Sequence, residues 1–105
     1  MSWYPDTGAN NHITPDLSAL HIAHEYTSND KLHVGDGTGL SIQHTGTAFL
    51  PSSNGSLSLK NVLHVSRIVK NLLSVHRLST DNHYYFEFWP SHFSIKDQVT
   101  KKVLL

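Results

Sequence analysis

The sequence predicts a small all-β fold: a closed or nearly closed antiparallel β-barrel, one domain over residues 1–105, with a single short helix at 71–79. Three observations predict it. Apolar and polar residues alternate in several short runs, which is the period of a half-buried strand. Clusters of Gly, Asn, Ser and Pro separate those runs in the manner of hairpin turns. Only one stretch carries clear helical spacing.

The elements follow in chain order. Asp16 to Ala23 holds a weak helical turn. Leu32 and Val34, then Leu40 and Ile42, alternate on either side of Gly35-Asp36-Gly37-Thr38-Gly39, which reads as a hairpin tip. Thr47-Ala48-Phe49-Leu50-Pro51 is a further strand, and Ser52 to Ser56 is a polar turn. Leu57-Ser58-Leu59 alternates into Asn61-Val62-Leu63-His64-Val65. Leu72, Val75 and Leu78, with Leu73 beside them, have helical spacing and are assigned to the core; Asp81-Asn82 stops the helix. Tyr84 to Phe88 and His92 to Lys96 flank Trp89-Pro90-Ser91 as a second hairpin, its aromatic residues read as strand core or edge. Thr100 to Leu105 adds a final strand, in which Val103 and Leu105 share one face.

Composition narrows the function. Eight basic and eight acidic residues cancel, so no phosphate backbone or anionic membrane is expected as a partner. No apolar run approaches the roughly 18 residues that cross a bilayer. The chain has no cysteine, which removes disulfides, thiolate zinc sites and cysteine nucleophiles, and suits a reducing intracellular compartment. Nine histidines are scattered through it and are read as mostly surface groups that gain positive charge between about pH 7 and 5. Only His21 and His24 are spaced for one helical turn, and no second local cluster completes a metal site, so neither metal nor cofactor is expected.

The chemistry-bearing feature is Asp6-Thr7-Gly8, followed by Ala9. In an active-site turn the Asp supplies one carboxyl of a water-activating pair. The Thr hydroxyl bonds backbone to steady the loop, and the Gly lets a second backbone or a water come close. As an ordinary turn the same tripeptide has its carboxylate cap backbone amides. Peptide hydrolysis by carboxylates needs two of them, and no other acidic residue lies in this setting. A second copy of the chain, related by a two-fold axis, is the economical source.

Three segments together resemble one family. Trp3 to Ile13, with Asp-Thr-Gly-Ala and then Asn-His-Ile, is similar to the start of the protease region in copia-type retrotransposon Gag-Pol polyproteins. Leu32-His33-Val34-Gly35-Asp36-Gly37 resembles the glycine-bearing segment that follows there. Lys60-Asn61-Val62-Leu63-His64-Val65, running on to Lys70-Asn71-Leu72-Leu73-Ser74-Val75, resembles their "NVLHVP…KNLLSV" block. The resemblance spans nearly the whole chain.

It implies a retropepsin-like barrel in which Asp6 is catalytic, Thr7, Gly8 and Ala9 support the active-site loop, and Gly35, Asp36, Gly37, Thr38 and Gly39 form a flap. It further implies a homodimeric aspartic endopeptidase that cuts its own Gag-Pol precursor, in the cytoplasm or in a virus-like particle. The alternative is a non-catalytic β-barrel folding or interaction module from the same polyprotein region. Some features depart from the retroviral pattern. The triplet Ile68-Val69-Lys70 lacks the glycine that braces such loops, and the flap carries the ionisable Asp36. About thirty residues follow the Leu72-Leu73 pair, enough for two or three strands. Val103 and Leu105 are candidates for a strand shared between subunits, or alternatively for the core of one chain.

Overall fold

A computed structural model describes residues 2–53 and 55–105. The spine is one long hairpin, β6 (His44–Ser52) and β7 (Gly55–His64), whose strands meet at the Ser52–Gly55 pair within the predicted Ser52–Ser56 turn; Asn54 of that turn lies outside the described residues. Along β7 the buried residues are Leu57 and Leu59, then Val62 and His64, so the inward parity changes between Leu59 and Val62. An extra residue in the strand accounts for this. The ladder shifts between Gly46 and Ala48, Lys60 and Asn61 are both exposed, and Asn61 takes φ 57. A bulge of this kind keeps successive apolar residues on one face after an odd insertion, and Asn tolerates the left-handed backbone it needs.

Four more strands join this hairpin: β1 (Trp3–Asp6), β2 (Ile13–Thr14), β3 (His21–Glu25) and β8 (Asn71–Ser74). The sheet order is β1-β8-β2-β7-β6-β3. Two separate hairpins, β4 (Lys31–His33) with β5 (Gly39–Ser41) and β9 (Tyr84–Phe88) with β10 (Phe93–Asp97), complete a nearly closed barrel. Pairing is mostly antiparallel, but β1 runs parallel to β8 and β2 parallel to β7. The first parallel pair arises because β8 lies between β1 and β2, consecutive strands joined by the loop after Asp6, and the second because β2 in turn lies between the consecutive strands β7 and β8.

The one α-helix among the described residues is α1 (Val75–Asp81), shorter and later than the expected 71–79. Leu72 and Leu73 fit helical spacing, yet Asn71 to Ser74 is drawn into parallel register with Trp3 to Asp6. Ser74 then caps the helix by accepting the Arg77 N–H at 3.0 Å. The expected turn at Asp16–Ala23 is a 3-10 turn at Leu17–Ala19, with Asp16 accepting the Ser18 N–H. His21 and His24 beyond it lie on a bulged edge strand, so no helix presents them together.

The main core joins Ala48, Leu50, Leu57, Leu59 and Val62 of the long hairpin to Leu73, Leu78, Ile95 and Leu104. A second cluster joins Leu40 of β5 to Ile13 of β2 and to Val65, with Leu32 and Val34 packed against it. The C-terminal residues fold back onto their own chain. Leu104 donates to the Ile95 carbonyl at 2.7 Å, Ser53 N–H donates to the Leu104 carbonyl at 3.0 Å, and Leu104 is only 3% exposed. Val103 and Leu105, the expected inward or subunit-facing pair, are 52% and 37% exposed. The segment belongs to the core of one chain through Leu104. Among the described residues no helix is long and apolar enough to cross a membrane.

Candidate functional site

Asp6 ends β1 directly opposite Ser74, the last residue of β8. From there the chain loops through Thr7–Asn11 and returns at His12 to enter β2. One Asp6 oxygen, Oδ1, accepts the Gly8 N–H at 2.8 Å, the turn geometry open to Asp-Thr-Gly on any reading. Oδ2 accepts no hydrogen bond from a described residue. A Cβ on Gly8 would lie 3.4 Å from Oδ1. Glycine there leaves that side of the carboxylate uncovered, an access role rather than a backbone one.

The loop is steadied by residues outside the tripeptide. Thr7 is exposed, and its hydroxyl has no partner among the described residues, so it does not brace the loop within the chain. Ser74 does so instead: its hydroxyl donates to the Ala9 carbonyl at 2.6 Å, while its N–H donates to His12 Nδ1 at 2.9 Å. Beneath them Thr14 donates to Asn71 Oδ1 at 2.6 Å, and Asn71 Nδ2 donates to the Ser2 carbonyl at 3.3 Å. His12 O and Thr14 O accept from Leu63 and Val65. His12, Thr14, Asn71 and Ser74 were not singled out from the sequence as site residues. The signal was present in the blocks Asn11-His12-Ile13, Leu63-His64-Val65 and Asn71–Ser74, which meet in one small patch of sheet behind Asp6.

Burial pushes the His12 imidazole down to about 4, with Asp81 opposing the shift and Arg77 adding to it. The folded chain therefore resists binding a proton that the unfolded chain takes up near pH 6.5. Stability from this group is fully present above about pH 6.5 and is lost as pH falls toward 4, by roughly 3 kcal/mol across that interval. Denaturant titrations at pH 7, 5.5 and 4.5 check this, and a flat profile would contradict it. Nor do all the histidines behave as surface groups. His64 is buried, its Nδ1 lies 3.0 Å from His44 Nδ1, and burial followed by the neighbouring His44 lowers its affinity for a proton.

A cleft of about 990 Å³ opens in front of the loop. It is lined by Asp6, Gly8, Ala9 and Asn10 of the loop and by Asn29, Asp30, Lys31, Leu32, His33, Val34 and Gly35 at and before the β4–β5 hairpin. Apolar side chains of Ile13, Ile42, Leu63, Ile68 and Leu72 line it as well. The structure thus brings Asp6 and the start of the expected flap to one cleft. Of the five flap residues only Gly35 lines it; Asp36, Gly37 and Thr38 form the turn beyond, and Gly39 starts β5. Asp36 accepts the Thr38 N–H at 2.8 Å, and the bonds from Thr38 hold its carboxyl below the usual range. Gly37 takes φ 87, a conformation that favours glycine. The ionisable group in the tip is therefore engaged by its own turn. Ile68 lines the cleft while Val69 beside it is exposed, so the triplet without its glycine still contributes one apolar wall residue. No group of three or more metal-ligating side chains occurs among the described residues.

Residues 3–84 match the family model described as Pol polyprotein, beta-barrel domain. The chain belongs to that family. This Pol beta-barrel domain is 44% identical over 104 residues to the retrovirus-related Pol polyprotein from transposon RE2 of Arabidopsis thaliana, and 41% identical over 104 residues to that from transposon RE1 of the same plant. Each comparison covers 99% of this chain and 7% of the polyprotein, so the domain spans a small part of those relatives. No solved structure matches it. The resemblance to retrotransposon Pol polyproteins is thereby established at the level of the polyprotein and its β-barrel domain.

Proposed function

We propose that this Pol beta-barrel domain is one half of a homodimeric aspartic endopeptidase, with Asp6 as its catalytic carboxyl. The observation that carries the reading is that Asp6, with a glycine beside its carboxylate, lines one large cleft together with residues of the β4–β5 hairpin and several apolar side chains. An extended polypeptide would lie between the Asp6 loop and the β4–β5 hairpin, with its apolar side chains against those of the cleft. The natural substrate is the polyprotein of which the domain is part, cut in the cytoplasm or in a virus-like particle.

The chemistry requires the partner. Two Asp6 carboxyls about 3 Å apart cannot both ionise easily, so the pair retains one proton. The charged member takes a proton from water as it attacks the scissile carbonyl, and the neutral member donates toward the carbonyl oxygen. The pair titrates as a unit and is expected to work best at mildly acidic pH. Sedimentation alongside a peptide-cleavage assay tests the reading: specific activity is expected to rise with the dimer fraction. Cleavage by a demonstrably monomeric chain would remove the dimer from the mechanism.

One observation favours a second reading, a non-catalytic β-barrel module. The C-terminal segment is bound to its own chain through Leu104 and is unavailable as a strand shared between subunits. A dimer must then be held by the surfaces around Asp6 and the Gly37 tip. A chain that stays monomeric at every accessible concentration and cuts nothing would support the module.

A further inference from the structure

We propose that His12 is a positioning residue for the Asp6 loop: its neutral ring holds Ser74 by accepting a hydrogen bond at Nδ1, and a proton on that nitrogen unfastens the loop. The inference rests on reading Asp6 as the catalytic carboxyl. Ser74 is a junction of three bonds. Its N–H donates to His12 Nδ1, its hydroxyl donates to the Ala9 carbonyl, and the same hydroxyl accepts the Arg77 N–H that starts α1. Ala9 is three residues from Asp6, so the orientation of Ser74 is transmitted to the carboxylate through one short piece of chain.

The ring can serve only in one form. Accepting at Nδ1 places the proton of the neutral imidazole on Nε2. Protonating Nδ1 sets two N–H groups against each other and turns the bond into a repulsion. His12 is 1% exposed, so the ring has little freedom to rotate out of that conflict. Its far side borders a smaller cleft of about 330 Å³, where Lys60 of β7 and Asp81 of α1 are the ionisable neighbours, with Arg77 of α1 also acting on the ring. Asp81 favours a charged imidazole; Arg77 opposes it, and Lys60 has the same sign as Arg77. Burial is the strongest influence and keeps the ring neutral until well into the acid range. An enzyme whose carboxyl pair prefers mild acid would thus carry a second acid limit, set by the support of its loop rather than by the pair.

Two substitutions separate this from a packing role. His12→Asn presents an amide oxygen near the place of Nδ1 and cannot be protonated in this range; His12→Leu removes the acceptor. Protection of the Ser74 and Arg77 amides from hydrogen exchange is measured relative to Leu59 in the main core, from pH 6.5 to 4, beside peptide cleavage. In the wild type the relative protection is expected to fall by about tenfold toward pH 4, while His12→Asn stays flat. His12→Leu is expected to lose that protection at every pH and to lower kcat by about tenfold or more with little change in KM. Equal acid-induced loss in the wild type and His12→Asn would overturn the proposal, as would full protection and cleavage in His12→Leu. Should His12→Leu fail to fold, the comparison of His12→Asn with the wild type decides alone. If the wild type cuts nothing at any concentration, the protease reading fails, and the exchange data still decide whether His12 holds the loop.

Discussion

Asp6→Asn is expected to lower peptide cleavage by on the order of 10³-fold or more while leaving the domain folded. The two side chains have nearly the same shape, and the amide oxygen of Asn can accept the Gly8 N–H that Asp6 Oδ1 now accepts. What is lost is the shared proton. An amide neither draws a proton from water nor holds one for the carbonyl, so the variant removes the chemistry and spares the turn. A mixing experiment extends the test to the two-fold pair. If two Asp6 carboxyls form one site, adding an equal amount of the variant to fully dimeric wild type leaves about half of the wild-type chains in productive pairs. Activity should fall accordingly, and activity unchanged by the variant would place a complete site in one chain. Full cleavage by Asp6→Asn alone would remove Asp6 from the mechanism. The turn would then stand as an ordinary one, closed by its Gly8 hydrogen bond.

Local pattern in the sequence was enough for most strands and for both short hairpins, because alternation and turn composition are local causes with local effects. The Gly35–Gly39 tip and the Trp89–Ser91 turn fall where their glycine, proline and serine content places them. Pattern misled where a distant strand competed for the same residues. Asn71 to Ser74 has apolar spacing suited to a helix, but β1 offers it a hydrogen-bonding partner and Ser74 caps the helix only from Val75 onward. The final segment shows a related limit of local pattern. Alternation sets which residues share a face but not which face is inward, and contact with Ile95 and Ser53 turns Leu104 to the core. Asp6 and the hairpin that shares its cleft were legible from motif and order along the chain. The His12–Ser74–Ala9 bracing was not, since His12 and Ser74 are separated by 62 residues and neither belongs to a recognised catalytic tripeptide.

Leu104→Ala is expected to destabilise the domain by about 2–5 kcal/mol, with the same loss at every protein concentration. Leu104 is 3% exposed within the main core alongside Ile95, Leu57 and Leu59, so truncating it leaves a cavity in the barrel rather than at a subunit contact. Its backbone is also engaged on both sides, to Ile95 and to Ser53, which limits how far the segment can shift to refill that space. The neighbouring positions provide the contrast. Val103→Asp and Leu105→Asp alter side chains that are 52% and 37% exposed, and each is expected to change stability by no more than about 0.5 kcal/mol. Denaturant unfolding of the three variants at two widely separated concentrations distinguishes the roles. A concentration-dependent loss in Val103→Asp or Leu105→Asp, with Leu104→Ala near neutral, would mean that the C-terminal segment leaves its own barrel to pair across subunits. The dimer would then have an interface strand after all. With Leu104 holding the segment in place, the proposed dimer would be held by the surface that carries the site, and its affinity and substrate access would then depend on the same loops.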